Sequence, residues 1–347
     1  MFSVSQAHDV APDRVILGIE SSCDETAAAV LIEGRLAAHV VSSQLDHRPY
    51  GGVVPELASR AHLRRIVPVV ERALAEAQIR KADLTAVAVT YGPGLIGSLL
   101  VGTSFAKALA SALGIPLVGV HHLEGHIYAI FLEPEPPPFP FLCLVVSGGH
   151  TALVRVEAPF RHRTLGQTRD DAAGEALDKV AKLLGLEYPG GPAIERLAAE
   201  GDPRFLRLPR PNLGPSLDYS FSGLKTAVLH ALKRLPDPER TRLRQEHLAD
   251  LAASFQTAVV EALLEPLLRA AERTGDRHVV LSGGVAANRA LRRRLQEVAA
   301  ERSWRLYVPR PAFCTDNAAM IAMAGYLKLR QGHQSPLSLA PQATVPL

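Results

Sequence analysis

The sequence predicts an α/β protein built from two copies of one mixed unit of strands and helices. The first observation is a repeat, because residues 14–32 read as strand, small polar turn and strand, and residues 141–156 repeat that order. The second is that three apolar runs end in turns of small residues, at residues 21–24, 147–150 and 282–284. Ligands of α/β sheets bind at the carboxyl ends of strands, so these turns predict one shared cleft.

The first copy is predicted to span residues 14–133, after a loose tail at residues 1–13. Its apolar runs predict a meander of three antiparallel strands that ends near residue 42. A loop follows at residues 49–55. The rest of this copy is expected to form helices at residues 55–76 and 98–113 and strands at residues 84–90 and 116–120.

The second copy is predicted to span residues 134–325, after a proline run at residues 134–140 that indicates a surface loop or hinge. Its third strand is expected at residues 162–167, followed by helices at residues 173–184 and from residue 193. A later strand at residues 278–282 breaks at a glycine pair into another helix. The last helices and residues 326–347 are expected to return toward the first copy, with an extended tail from residue 335.

The composition is that of an ordinary globular chain. Of 347 residues, 47% are hydrophobic and 21% are charged, which allows a sizeable core in two domains. The net charge of +3 indicates no global basic field, although arginines cluster at residues 60–65, 204–210 and 289–294. Three separated cysteines without a Cys-x-x-Cys pair favour a reducing cytoplasm. We expect a soluble, cytoplasmic protein without a membrane segment, since no apolar run approaches roughly 20 residues.

A histidine pair follows the strand predicted at residues 116–120. His122 and His126 are four residues apart at an expected helix start, which places both imidazoles on one face, where they can bind one metal ion. Such an ion needs a third, anionic ligand from elsewhere, and a solvated face, a polar core pair or chance are the alternatives. The protease motif His-Glu-x-x-His is not met, because Glu124 stands two residues after His122 and points away from the shared face.

The glycine-rich turns favour a nucleotide as the ligand of the cleft. Glycine lets a ligand approach the backbone closely, and strand-end amides can bind phosphate oxygens. A single turn of this kind is explained by its own geometry, whereas three at matching places of a duplicated plan are typical of a nucleotide cleft. No Gly-x-x-x-x-Gly-Lys-Ser/Thr motif is present, so a P-loop is excluded.

This combination resembles the sugar kinase, heat-shock ATPase and actin superfamily, whose two duplicated RNase H-like lobes enclose a nucleotide in the interlobe cleft. Within that superfamily the chain is similar to the bacterial tRNA threonylcarbamoyladenosine transferases, once described as glycoproteases. The resemblance extends over residues 16–325 and rests on nine blocks: GIESSCDET at 18–26, GGVVPELASRAH at 51–62, HLEGH at 122–126, VSGGHT at 146–151, DAAGEALDK at 171–179, YPGGP at 188–192, DYSFSGLKT at 218–226, SGGVAANR at 282–289 and CTDNAAMI at 314–321.

The resemblance implies a role for each matching residue. One divalent metal ion, Fe²⁺ in preference to Zn²⁺, would be bound by His122, His126 and Asp316. The adenylate substrate would be bound by Val145, Val146, Ser147, Gly148, Gly149, Asp178, Gly191, Glu195 and Asn288. The residues alone leave alternatives open. Asp316 suits a helix N-cap, Asp178 can pair with Lys182 along a helix, and Asn288 can cap the turn after Gly284.

The reaction implied by the resemblance moves a threonylcarbamoyl group from threonylcarbamoyl adenylate to the exocyclic amine of the adenosine beside the anticodon of tRNA. The implied protein partners are a catalytically inactive paralogue and a small ATPase, with the paralogue expected on the helices at residues 55–76 and 98–113. His150 and Glu20 are candidate general bases, and Cys23 reads as a small packed residue rather than a nucleophile. The arginines at residues 60–65 and 204–210 are expected to face tRNA.

Three other functions compete with the transferase. A metallopeptidase would use His122 and His126, but it lacks a glutamate directly after the first histidine. A sugar-kinase-like phosphotransferase would explain the glycine turns and leave the histidines and Asp316 without a role. A nucleotide-gated scaffold would open and close on partners without chemistry of its own.

Overall fold

The computed structural model describes residues 14–44, 52–209, 211, 213–234 and 236–347. Three predicted features lie wholly or partly outside the described residues, namely the tail at residues 1–13, the loop at residues 49–55 in its first three positions, and the second arginine cluster at Arg210.

The first sheet contains the predicted antiparallel meander and two parallel strands. Its strands are β1 (Val15–Glu20), β2 (Glu25–Ile32), β3 (Arg35–Ser43), β4 (Ala86–Gly92) and β5 (Leu117–His121). They lie in the order β3-β2-β1-β4-β5, with β4 parallel to β1 and β5 parallel to β4. Helices α1 (Pro55–Glu76) and α2 (Ile96–Leu113) cover one face through an apolar core that includes Val15, Leu17 and Ile19 of β1.

The second sheet repeats this topology, which confirms the predicted duplication. Its strands are β6 (Phe141–Val146), β7 (Thr151–Ala158), β8 (Arg161–Gln167), β9 (His278–Ser282) and β10 (Arg305–Tyr307), in the order β10-β9-β6-β7-β8. Its outer face is covered by helices that surround the largest core cluster, namely α4 (Ala173–Leu184), α5 (Gly190–Ala198), α6 (Ser222–Lys233), α8 (Leu248–Thr274) and α9 (Arg289–Arg302). Helix α7 (Asp237–Glu246) precedes α8.

Short helices fill the space between the two sheets. Helix α3 (His122–Tyr128) follows β5, and α10 (Pro311–Cys314) and α11 (Ala318–Arg330) follow β10. Strand β6 is buried on both faces: Phe141, Cys143 and Val145 pack toward α3 and α11, whereas the alternate residues pack against the outer helices. Since period-2 alternation separates the two faces of a strand, β6 joins the interlobe core to the core of the second lobe.

Helix α11 follows the second sheet in sequence but packs on the first, as expected for the last helices. The backbone of β1 at Gly18 touches α11 so closely that an added Cβ would overlap Ala318 and Ala322. Gly325 of α11 approaches Ala88 of β4 in the same way. Glycine at these positions therefore allows direct contact of helix and sheet.

Several predicted boundaries shift by a few residues. The strand expected at residues 84–90 is Ala86–Gly92, and the helix expected at residues 98–113 begins at Ile96. The helix expected from residue 193 begins at Gly190, because the Gly-Gly pair packs against α4 as its first turn. A 3-10 turn, Gly284–Ala287, separates β9 from α9.

Helices α2 and α8 are relevant to the expectation that the chain contains no membrane segment. By length and composition alone α2 and α8 are apolar enough to cross a membrane, which the sequence analysis did not anticipate. In α8, 67% of the apolar window is buried inside the protein, and α2 packs one face on the first sheet. The core helix of a globular domain passes the same test, so this observation is weak evidence for a membrane span.

Candidate metal and nucleotide site

The carboxyl ends of the strands in both lobes open into one cleft of about 810 Å³. Its walls are the turns that follow β1, β4, β5 and β6, as expected for ligand sites of α/β sheets. The first lobe contributes Ser22, Cys23, Asp24, Pro93, Gly94, Leu95 and His122, and the second lobe contributes Ser147, Gly148, Gly149, His150, Glu175, Asp178, Lys179, Lys182 and Tyr188. Gly52, Val53, Asp316 and Ala343 complete the lining.

The predicted histidine pair lies at the base of this cleft. His122 and His126 are one turn apart on α3, both are buried, and their ring centroids are 4.8 Å apart. The Nε2 atoms of both rings face one carboxylate oxygen, Oδ1 of Asp316, at 3.4 Å from His122 and 3.1 Å from His126. The three ligand atoms lie within 4.8 Å of one another. The expectation that Glu124 points away holds, since its Oε2 lies 2.6 Å from Nζ of Lys328.

Asp316 reaches the histidines from the loop between α10 and α11. The alternative that it caps a helix is wrong, because the N-cap of α11 is Asn317, whose side chain accepts a hydrogen bond from the Met320 amide. With its neighbour in that role, the Asp316 carboxylate is turned into the cleft. Of the two neighbouring residues, Asn317 thus caps the helix and Asp316 belongs to the site.

A second carboxylate lies behind His122. Nδ1 of His122 is 3.1 Å from Oε2 of Glu20 and 3.2 Å from Oγ of Ser22. Glu20 is fully buried and also accepts hydrogen bonds from the Ser22 amide and the Thr90 hydroxyl. This position argues against the predicted role of Glu20 as a general base, because its oxygens are engaged within the protein. It suits the orientation of His122.

The side chains of His122, Asp316 and Glu20 stabilise one another in their charged forms. Burial lowers the pKa of His122, but Asp316 and Glu20 outweigh burial and place it well above 6.5. Burial raises the pKa of Asp316, and the two histidines outweigh it so that the carboxyl pKa lies well below its usual range. The pKa of Glu20 is lowered for the same reason, with burial opposed chiefly by His122.

The residues fit a divalent metal ion. Two imidazoles and one carboxylate are a common donor set for zinc and iron, and three protein ligands leave positions for a substrate. Both Nε2 atoms converge on one carboxylate oxygen, and Glu20 orients His122 from the opposite nitrogen, as expected of an outer-shell carboxylate. Nδ1 of His126 is buried and lacks a hydrogen-bond partner among the described residues.

A smaller cavity of about 160 Å³ adjoins the cleft and shares Gly148 and Asp178 with it. Five of the residues that the resemblance assigned to the adenylate line it: Gly148, Asp178, Gly191, Glu195 and Asn288. Ser147 and Gly149 line the main cleft instead. Val145 and Val146 are fully buried in β6 and do not line either cavity, so they support the turn from below.

Three glycines leave space that the fold does not fill. A Cβ at Gly148 or Gly149 would meet nothing within 4 Å, and one at Gly191 would meet only Leu177 at 3.9 Å. None of the three has a positive φ angle. Since neither packing nor backbone conformation requires glycine there, the open surface suits close approach of a ligand.

The polar groups of the smaller cavity are held in place by the backbone. Asp178 Oδ1 accepts a hydrogen bond from the Gly190 amide at 2.7 Å, and burial raises the pKa of this carboxyl. The predicted alternative, a pair with Lys182, is not the contact observed for Asp178. Asn288 caps α9, as the alternative proposed, and it also donates to Gln256 Oε1. Glu195 accepts from the Arg289 amide.

His150 stands at the mouth of the second-lobe turn. Its ring centroid lies 6.4 Å from that of His122, and its backbone closes the turn through hydrogen bonds with Ser147. Burial lowers the pKa of His150 to about 4. The ring is neutral at physiological pH and can accept a proton, but it is a weaker base than catalysis near pH 7 favours.

Several cleft residues received no role from the sequence. Asp24 and Tyr188 face each other across the lobes closely enough for Asp24 to raise the pKa of Tyr188, after the larger effect of burial. Lys179 and Lys182 bring positive charge to the second-lobe wall. Asp24 and Tyr188 both lie in sequence blocks that carry the resemblance. Their place in those blocks was the one signal in the sequence that could have identified them as cleft residues.

The two sheets of matching topology and the cleft between them define a two-lobed α/β protein. Full-length HypF, solved in a phosphate- and nucleotide-bound form, aligns with a TM-score of 0.61 at 15% identity, over 94% of this chain and 47% of that chain. The activator of the 2-hydroxyisocaproyl-CoA dehydratase from Clostridium difficile, solved with ADPNP, aligns with a TM-score of 0.50 at 15% identity, over 93% and 99%. These likenesses establish the fold.

The family follows from closer relatives. A family model described as "TsaD: tRNA N6-adenosine threonylcarbamoyltransferase" matches residues 35–323. Proteins of that name are 59% identical in Salinibacter ruber, over 94% of this chain and 97% of the relative, and 55% identical in Symbiobacterium thermophilum, over 94% and 95%. The chain belongs to the tRNA N6-adenosine threonylcarbamoyltransferase family. It is an enzyme of the transferase class.

Proposed function

We propose that this enzyme transfers the threonylcarbamoyl group from threonylcarbamoyl adenylate to N6 of the adenosine on the 3′ side of the anticodon, in tRNAs that read codons beginning with A. AMP is the leaving group. The observation that carries the proposal is that a glycine-lined cavity and the His122, His126 and Asp316 cluster open into the same cleft. An adenylate in the cavity can direct its acyl group toward the cluster.

The polar groups of the two cavities suit the parts of an adenylate. Asp178 and Asn288 can hydrogen-bond a ribose or an adenine edge, since both residues line the smaller cavity. The backbone of Gly148 and Gly149 lies open beside it and can approach a phosphate. Lys182 places positive charge on the adjoining wall, where it would favour an anionic ligand, whereas Lys179 is paired with Asp171 and Glu175.

The reaction needs a carbonyl carbon made electrophilic and a nucleophile held in line. The amine nitrogen forms a bond to the carbonyl carbon, the bond from that carbon to the phosphate oxygen breaks, and AMP leaves with the electron pair. A divalent ion held by His122, His126 and Asp316, Fe²⁺ in preference to Zn²⁺, would supply Lewis acidity toward the acyl group. The amine also loses a proton, and neutral His150 at the cleft mouth is the acceptor that we propose.

A reconstituted tRNA modification assay tests the proposal. It combines the purified protein and its partners with unmodified tRNA, threonine, bicarbonate, ATP and the enzyme that makes the adenylate. Wild type should modify the adenosine, and His126→Ala should not. A matched control is His230→Ala, which removes an exposed histidine from α6. Absence of modification by wild type, with adenylate present and partners bound, would contradict the assigned reaction.

We also propose that an inactive paralogue binds the outer face of the first lobe, and that a small ATPase joins this assembly. Four large apolar side chains on α1 and α2 are 46–66% exposed: Leu63, Val67, Ile96 and Leu100. Each helix presents its two residues one turn apart, so the exposed side chains form one stripe per helix. Contiguous apolar surface of this kind is typical of protein interfaces.

A further inference from the structure

The segment formed by residues 335–347, here termed the strap, lies along the first sheet without forming a helix or a strand of its own. Its first half is fixed at the edge strand β5. The Ser335 amide donates to the Leu117 carbonyl at 2.8 Å, and Ser335 Oγ accepts from the Gly119 amide at 2.9 Å. Nζ of Lys107 on α2 donates to the Leu339 carbonyl at 2.7 Å.

The second half of the strap follows the chain that leaves β4 and enters the cleft. The Gln342 amide donates to the Tyr91 carbonyl at 2.8 Å, and the Gly94 amide donates to the Ala343 carbonyl at 3.1 Å. Ala343 forms part of the cleft wall beside Pro93 and Gly94. The strap therefore lies between the sheet edge and the site described above.

Two glycines of the sheet are matched to the strap. A Cβ at Gly92 would overlap the carbonyl of Gln342, and a Cβ at Gly119 would meet the side chains of Leu339 and Ser335. Neither glycine has a positive φ angle, so the backbone itself does not require them. Their absent side chains make room for the strap, which indicates that its position is part of the fold.

The strap reaches the metal-ligand helix through one buried histidine. His121 is the N-cap of α3, and its Nδ1 accepts a hydrogen bond from the Leu123 amide at 3.1 Å. The ring proton of a neutral imidazole must then be on Nε2, which lies 3.2 Å from the Val345 carbonyl. The Val345 carbonyl accepts a hydrogen bond from this Nε2–H group and thereby fixes both the tautomer and the orientation of the capping ring.

We propose that the strap is a positioning element for the metal-ligand helix, acting through the hydrogen bond from His121 to the Val345 carbonyl. Helix α3 has seven residues, and a helix of that length depends on its cap and its packing. Its first residue is His122, so the direction of that imidazole follows the geometry of the cap. The inference rests on the proposed function only in assuming that His122 and His126 bind a metal ion.

The primary test measures Zn²⁺ affinity by competition with a chromophoric chelator. The full chain is compared with a variant that ends at Pro341 and so lacks Val345. We expect a loss of about 10- to 100-fold in affinity, the usual effect of removing an outer-shell partner. A second variant, Gly92→Ala, displaces Gln342 without shortening the chain and should weaken binding in the same direction. Gly185→Ala, at the C-cap of α4 in the second lobe, is the control for general loss of stability.

A double-mutant cycle separates positioning from simple destabilisation. His121→Ala removes the cap, so truncation at Pro341 should have no further effect on Zn²⁺ affinity in that background. His121→Asn keeps an acceptor for the Leu123 amide and should retain more affinity than His121→Ala. Additive losses would overturn the proposal, because they would show that the strap does not act through the ring.

A second readout requires no metal. In the metal-free protein, hydrogen exchange of the amides of α3 should be faster in the truncated variant, whereas exchange in α4 should match wild type. Unchanged exchange in α3 would overturn the positioning role whatever the metal does. If exchange in α3 rises but wild type binds no Zn²⁺, the assignment of the metal site fails while the structural part of the inference holds.

Discussion

Gly191 presents a bare backbone to the smaller cavity although the fold does not require glycine there. Its added Cβ would meet only Leu177 at 3.9 Å, and its φ angle lies outside the left-handed region. We predict that Gly191→Ala leaves the free energy of unfolding unchanged or raises it by about 0.4–1 kcal/mol, through lower entropy of the unfolded chain. The methyl group would occupy ligand space, and AMP affinity should fall about tenfold, or about 1.4 kcal/mol.

Calorimetric titration with AMP and denaturant unfolding measure the two effects separately. Gly223→Ala is a suitable control, because this glycine of α6 also faces open space but lies away from both cavities. Wild-type AMP affinity in the Gly191→Ala protein would show that the ligand does not approach that backbone.

Among individual residues, the sequence pattern identified those site residues that lie close to one another along the chain. His122 and His126 were found from their spacing, and the helix and its buried face confirm that spacing. Asp316 came only from the resemblance, since 190 residues separate it from His126. Glu20 was predicted as a candidate base, and its burial behind His122, which depends on contacts between distant strands, argues against that role.

The close contact between β1 and α11 connects the two ends of the described chain. A Cβ at Gly18 would overlap the Ala318 carbonyl and the backbone and side chain of Ala322. We predict that Gly18→Ala lowers the free energy of unfolding by about 1–3 kcal/mol, as overpacking of a filled core does. Urea unfolding measures the loss, with Gly223→Ala again as the control. A loss below about 0.5 kcal/mol would mean that helix and sheet separate easily.

Helices whose own sequence carries a clear amphipathic pattern were predicted accurately. Helices α1 and α4 begin and end at the predicted residues, because their amphipathic pattern continues over several turns. Helix α5 begins earlier than predicted, since a Gly-Gly start is stabilised by its contact with α4 rather than by helix propensity. The strap had no readable pattern, because its long-range hydrogen bonds go to β4, β5 and His121 and the Leu339 amide closes only a short turn onto the Pro336 carbonyl within it.

Buried, neutral histidines in several parts of the molecule make its free energy of unfolding depend on pH. Burial lowers the pKa of His39, His62 and His162 below 6.5. His62 is held between the Thr26 hydroxyl and the Cys23 carbonyl, at 2.8 and 2.9 Å. Below pH 6.5 the unfolded chain binds more protons at these sites than the folded chain. The stabilisation that these neutral histidines contribute is therefore fully present above pH 6.5, and it is lost as the pH falls through their folded-state pKa values.

We predict that the slope of the unfolding free energy against pH, measured between pH 5.5 and pH 7, is more positive in wild type than in His62→Gln. One histidine contributes at most about 1.4 kcal/mol per pH unit, the value for one proton. Urea unfolding at several pH values gives both slopes, and their difference removes the contribution of groups common to the two proteins. Equal slopes would show that His62 is protonated in the folded protein as readily as in the unfolded chain.

The apolar stripes on α1 and α2 give the last prediction, since their four large side chains are 46–66% exposed. Leu63→Glu and Leu100→Glu should abolish binding of the inactive paralogue in size-exclusion and pull-down experiments, because a charge would be buried in the interface. Both leucines are exposed in the isolated chain, so its unfolding free energy should change by less than about 0.5 kcal/mol. Phe205→Glu, a similar change at an exposed side chain of the second lobe, should leave binding intact. Metal content should remain that of wild type in all three variants, because His122 and Asp316 lie on the opposite side of the first sheet from these helices. Retained binding would remove the paralogue from this face, and loss of metal together with binding would show that the substitutions disturb the site rather than the interface.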